Sequence, residues 1–147
     1  VVSSGYGMAK RTFLGVDINR ANLMIATIEK ILGYKLGMKD IILNIIGGIR
    51  ISEPALDLTI IMAIVSSLLE KPMKEKIGVI GEVGLTGEIR SIPKVKKRLI
   101  EFQKMGFSAC VLPEKNRVKE LDKLGMRLIY VSNLADAIRF LVGKSVE

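Results

Sequence analysis

The sequence has no histidine, no tryptophan, one cysteine and few aromatic residues of any kind. Each shortage removes a class of chemistry. Without histidine there is no Ser-His-Asp or Cys-His catalytic site, and of the common zinc sets only carboxylate-based ones remain. A single cysteine, Cys110, excludes an internal disulfide and points to a cytoplasmic setting. Cys110 lies in Ser108-Ala109-Cys110-Val111-Leu112, a strand-like run, where buried packing and thiol reactivity are the two readings. With aromatics at 5%, the core has to be aliphatic. Long apolar runs are also missing. The longest, Ile60 to Val65 with small polar residues beyond, is too short to span a bilayer. No secretion-type pattern opens the chain.

What is present describes a globular domain. Hydrophobic residues make up 49% of 147 and charged residues 26%, too apolar for disorder and of a length for one core. The chain starts at Val1 and stops at Glu147, so we expect a piece of something longer. The net charge is +8, which favours anionic partners, nucleic acid first among them. A basic but otherwise indifferent surface is the alternative.

Val1 to Met8 reads as the tail of a strand and a loop. Arg11 to Val16 reads as a short strand. Asp17 or Asn19 can cap a helix running to about Leu32, with Leu23, Ala26 and Ile31 on its apolar face and Gly33 as its stop. Asp40 to Ile46 is a β-branched run, expected to be a buried strand. Ser52 is a candidate cap and Pro54 suits a first helical turn. From Ala55 to Leu69 only Asp57, Thr59, Ser66 and Ser67 are polar, so this is a core helix, ended by Lys71-Pro72. Ile77 to Ile80 is a strand. Gly81 to Arg90 is a hairpin turning near Leu85-Thr86-Gly87. Its glycines invite comparison with a phosphate loop, but no Gly-Lys-Ser/Thr follows and no helix opens directly. Pro93 starts a basic helix to about Met105, closed by Gly106. Phe107 to Leu112 is a strand, Arg117 to Leu124 a short charged helix, and Met126 to Val131 a last strand. Asn133 or Ser132 caps a final helix to about Val142. The chain is mixed α and β, and its second half alternates strand and helix as a parallel α/β unit does.

The basic helix is the densest charge feature. Arg90, Lys94, Lys96, Lys97, Arg98 and Lys104 are opposed locally only by Glu101. Lys94, Lys97 and Arg98 fall within one turn, and Lys96 points about a quarter-turn away. Phosphate contact and a solvated helix face both fit. No aromatics are interleaved to stack bases, so phosphate contact would follow the backbone without reading sequence. Arg50, beside the start of the core helix, is a further candidate contact.

Several stretches also resemble a known family. Gly81-Glu82-Val83-Gly84-Leu85-Thr86-Gly87, followed by Ile92-Pro93, resembles the Gly-Glu-x-x-Leu-x-Gly signature of the Lon protease domain. Gly106-Phe107 and Val111 to Asn116 resemble its following strand and loop. Thr12 to Arg20, Asn44 to Pro54 and Gly81 to Leu85 are more similar still to the C-terminal domain of the RadA (Sms) family of bacterial DNA repair proteins. The likeness covers the chain from Lys10 on. It implies residues 1–9 as the tail of a preceding domain and residues 10–147 as a Lon-protease-like domain. The implied fold is the ribosomal-S5-type α+β fold, with mixed sheets packed by helices. It implies a hexameric ring acting on branched or single-stranded DNA, with no membrane contact. In that family a zinc-binding segment and an ATPase precede this domain, so ATP, Mg and Zn are expected only in parts absent from this chain.

Lon enzymes use a Ser-Lys dyad, in which the lysine must lose its proton to act as base. The resemblance puts the nucleophile position at Ala55 and the lysine at Lys96. A methyl group forms no acyl-enzyme. Ser52 precedes the proline at a cap position, where its hydroxyl would be engaged with backbone N–H groups. The expectation is a domain without catalytic residues. The readings kept open beside it are an active Ser/Lys peptidase and a purely structural ring module.

Overall fold

In the computed structural model, residues 2–3, 11–14, 17–36, 39–44, 54–72 and 76–143 are described. Arg50 and Ser52, and the end of the strand expected to reach Ile46, lie outside the described residues. Three short strands form a first sheet: β1 (Val2–Ser3), β2 (Arg11–Leu14) and β3 (Lys39–Asn44). β3 is central, parallel to β2 with Arg11 opposite Ile41, and antiparallel to β1 with Val2 opposite Asp40.

Between β2 and β3 runs α1 (Ile18–Thr27), which continues as a wide π-type turn, Ile28–Leu32. Asp17 caps it, its side-chain oxygen accepting the Arg20 N–H at 3.1 Å. Gly33 ends it at φ 75, a left-handed conformation that glycine adopts without steric cost. The buried stripe is Ala21, Met24, Ile25 and Ile28, recurring at three and four residues. This corrects the expected face. Leu23 and Ile31 are each 37% exposed, and Ala26 is exposed too. The stripe with Met24, Ile25 and Ile28 removes more apolar surface from water, and it wins.

Pro54–Leu56 forms one 3₁₀ turn leading into α2 (Asp57–Leu69). Leu58, Ile60, Ile61, Met62, Ile64 and Val65 are buried. Burying a side chain of that size contributes about 1.5–3 kcal/mol, so this helix anchors the core. It ends with Glu70 at φ 53, while the Lys71 N–H returns to the Ser66 carbonyl at 3.0 Å.

The second half is built on a parallel sheet of β4 (Ile77–Val79), β7 (Ala109–Pro113) and β8 (Arg127–Val131), with β7 central. Between β4 and β7 lie the antiparallel hairpin β5 (Glu82–Val83) and β6 (Ile89–Arg90), then α3 (Val95–Lys104). α4 (Leu134–Leu141) follows β8 and is capped by Asn133, whose side-chain oxygen accepts the Asp136 N–H at 2.9 Å. All five β7 residues are buried, as expected of a parallel strand covered on both faces. Val79, Val111 and Val131 pack with α1, α2 and α4. Ile80, Cys110 and Leu112 pack with Leu99 of α3 and with Leu121. Gly78 lets α3 approach: a Cβ there would stand 2.8 Å from the Phe102 ring.

Two expected helices differ. The basic helix opens at Val95, not Pro93, because Lys94 adopts φ 56 and breaks the helical path. The charged helix after Pro113 is two 3₁₀ turns, Glu114–Asn116 and Lys119–Leu124. Arg117 and Val118 are extended between them, and Leu121 alone anchors the second turn among buried residues.

Candidate functional site

The start of α2 is tied into the strand end after β4. The Gly81 N–H donates to the Ala55 carbonyl at 2.7 Å, and the Leu58 N–H donates to the Gly81 carbonyl at 3.0 Å. Ala55 is 3% exposed and belongs to the apolar cluster of Ile80, Ile92, Leu99, Cys110 and Leu112. Beside it the Asp57 carboxylate is fully buried. It accepts from Arg20 Nε at 2.7 Å and from the Val83 N–H at 3.0 Å, and it also pairs with the second guanidinium nitrogen of Arg20. A buried carboxylate needs such partners, because leaving it unpaired costs several kcal/mol, on the order of 3–5. Hydrogen bonding to Asp57 holds the Arg20 pKa above its ordinary value. This cluster joins α1, α2 and the hairpin. It was not expected from sequence, although an acid at the head of an apolar helix is a signal that a cation must meet it.

Two groups that could act as nucleophile or base are placed away from that role. Burial pushes the Cys110 thiol up to about 12, so it stays protonated at neutral pH. Lys96 turns to the surface, its Nζ 2.6 Å from Glu120 Oε1, both side chains half exposed or more. Ala55 is thus buried, and Lys96 is held in a surface ion pair.

The basic residues gather where β6 leads into α3. Lys94 caps the helix, and Lys97 and Arg98 follow within its first turn. Lys94 and Lys97 are exposed, and neither forms an ion pair among the described residues. The other candidates are engaged. Arg98 Nε donates to the Pro93 carbonyl at 2.9 Å. Arg90 pairs with Glu88 at 3.0 Å and reaches Glu82 at 4.0 Å. Lys104 lies 3.7 Å from Glu101. The opposing charge is therefore more than Glu101 alone, because folding brings Glu82, Glu88 and Glu120 to this side. Glu88 also accepts from Thr86. That bond first, then one from its own backbone N–H and one from Arg90, lowers its pKa from the ordinary 4.5 to about 2.

The surface thus defined belongs to a mixed α/β domain with an apolar helix mouth and a basic turn, and comparison with known proteins places it further. Residues 15–116 match the family model described as the subunit ChlI of Mg-chelatase, and the chain belongs to that family. It is also similar to proteins named DNA repair protein RadA. The relative from Bacillus subtilis is 36% identical over 140 residues, which is 95% of this chain and 31% of the relative. That from Halalkalibacterium halodurans is 36% identical over 141 residues, 96% of this chain and 31% of the relative. That from Streptococcus pneumoniae is 38% identical over 134 residues, 88% of this chain and 32% of the relative. The chain spans about a third of the length of these relatives. Among the described residues no helix is long and apolar enough to cross a membrane.

Proposed function

We propose that this chain is a Lon-protease-like domain of a RadA-type DNA repair protein that has lost peptidase activity. In this reading it binds DNA through the phosphate backbone and contributes to a hexameric ring, while an ATP-driven motor lies elsewhere in the parent protein. The setting is the cytoplasm. The observation that carries the reading is Ala55. Its methyl group, at the position the resemblance gives to the nucleophile, lies inside an apolar cluster, and Lys96 pairs with Glu120. With hydrolysis removed, the exposed Lys94 and Lys97 at the start of α3 offer contacts to phosphate, in a chain of net charge +8. Two flexible ammonium groups without aromatic neighbours suit phosphates rather than bases.

The purely structural reading draws on a specific observation too. Arg90, Lys96 and Lys104 are paired with carboxylates, which thins the basic surface. Two assays separate these readings. Incubated with an unfolded protein, the chain is expected to leave it intact. Cleavage that disappears in Lys96→Ala would overturn the loss of peptidase activity. DNA titrated at several salt concentrations, with the oligomeric mass measured alongside, is expected to bind with steep salt dependence. Assembly without any DNA binding at low salt would favour the structural module.

A further inference from the structure

The segment that carries Lys94 is held by a residue from another element. Asn116 stands at the end of the 3₁₀ turn after β7. Its side-chain oxygen accepts the Ile92 N–H at 2.9 Å, and its amide nitrogen donates to the Ile92 carbonyl at 3.0 Å. One side chain thus satisfies both backbone groups of Ile92, as a neighbouring strand would. Two residues on, Lys94 adopts φ 56 and ψ 38. That left-handed conformation is disfavoured for any residue with a Cβ, and glycine is its default occupant. Only two non-glycine residues with positive φ occur among the described residues, and Lys94 is one of them. The bend is also held from inside α3. Arg98 Nε donates to the Pro93 carbonyl at 2.9 Å, and the Arg98 N–H to the Lys94 carbonyl at 3.1 Å. The braced bend fixes the backbone of Lys94 directly before the first turn of α3, which carries Lys97.

A lysine at a glycine-type position carries a backbone cost that its packing does not repay, since it is exposed. Its charge is what a glycine would lack. We propose that Asn116 is a positioning residue for the basic surface. It fixes the Ile92–Lys94 bend so that the Lys94 ammonium, with that of Lys97, meets nucleic-acid backbone phosphate. The inference rests on the DNA-binding reading above. Asn116 itself touches no phosphate; it acts through the backbone of Ile92.

The test uses the full chain and a fluorescently labelled DNA duplex, titrated at several salt concentrations. Lys94→Ala, Asn116→Ala and their combination are compared with the unsubstituted chain. Both single changes are expected to lower affinity several-fold and to make the slope of log affinity against log salt shallower by about one. Asn116→Ala removes no charge, so a merely structural residue would shift thermal stability and leave that slope alone. The combined variant is expected to bind no more weakly than Lys94→Ala, because both changes remove one contact. Lys94→Gly relieves the bend, and its thermal midpoint is expected at or above that of the unsubstituted chain while its affinity falls. Should Asn116→Ala fail to fold, Asn116→Ala is made in the Lys94→Gly background. No further loss of affinity there supports the inference, and a further loss overturns it. Unchanged affinity and slope in Asn116→Ala, beside a loss in Lys94→Ala, overturns the positioning role and leaves DNA binding standing. Unchanged binding in Lys94→Ala and in the Lys94→Glu/Lys97→Glu variant overturns the DNA-binding reading and this inference with it.

Discussion

Asp57 interrupts the most apolar stretch of the chain, and its burial makes it the most consequential single charge. It holds Arg20 and the Val83 N–H together, so removing it strands a guanidinium and a backbone donor at once. Asp57→Ala should cost about 3 kcal/mol in denaturant unfolding, the low end for a broken buried pair, because Arg20 stays 26% exposed. Glu88 is a second residue whose charge matters, and it sits at the surface. Its pKa is lowered in the folded state from 4.5 to about 2, by Thr86 first. A depressed carboxylate adds stability that is fully present above the unfolded value and is lost as pH falls through the folded one. Acid unfolding curves should therefore show Glu88→Gln losing stability less steeply than the unsubstituted chain between about pH 4.5 and 2.

At the scale of elements, how the helices end decides what they can carry. α2 stops where Glu70 enters the left-handed region at φ 53, a conformation glycine adopts more cheaply. Glu70→Gly should raise the stability of the chain by up to about 1 kcal/mol, read as a higher thermal midpoint, with no change in DNA binding. The strands of the parallel sheet in the second half were legible from sequence because their apolar residues alternate between two covered faces. Val111 and Leu112 face different clusters, and both are buried. The helix starts at Asp17 and Asn133 were legible because capping is a local event. The buried face of α1 was not. Leu23 and Met24 are comparable in apolarity, and only packing against α2 and α4 selects Met24. The break at Lys94 was hidden as well, since nothing in Ile92-Pro93-Lys94-Val95 shows that Asn116 will hold Ile92 from a distant turn. In the candidate site, Ala55 could be read from a resemblance alone. The Arg20–Asp57 and Lys96–Glu120 pairs are long-range consequences of folding that no local pattern displays.

At the scale of the whole molecule, two features pull the account together. The start of α2 is buried and apolar around Ala55, and two exposed lysines without carboxylate partners among the described residues, Lys94 and Lys97, sit at the start of α3. In the proposed reading, charge would steer the molecule to an extended anion without selecting its sequence. Relatives named for DNA repair are about three times as long as this chain. The most direct test of its central claim is the salt dependence of DNA affinity, measured for the full chain and for Lys94→Glu/Lys97→Glu. The account predicts a steep slope for the unsubstituted chain, and for the variant weaker binding with a slope shallower by about two. The same affinity and slope in both would contradict it.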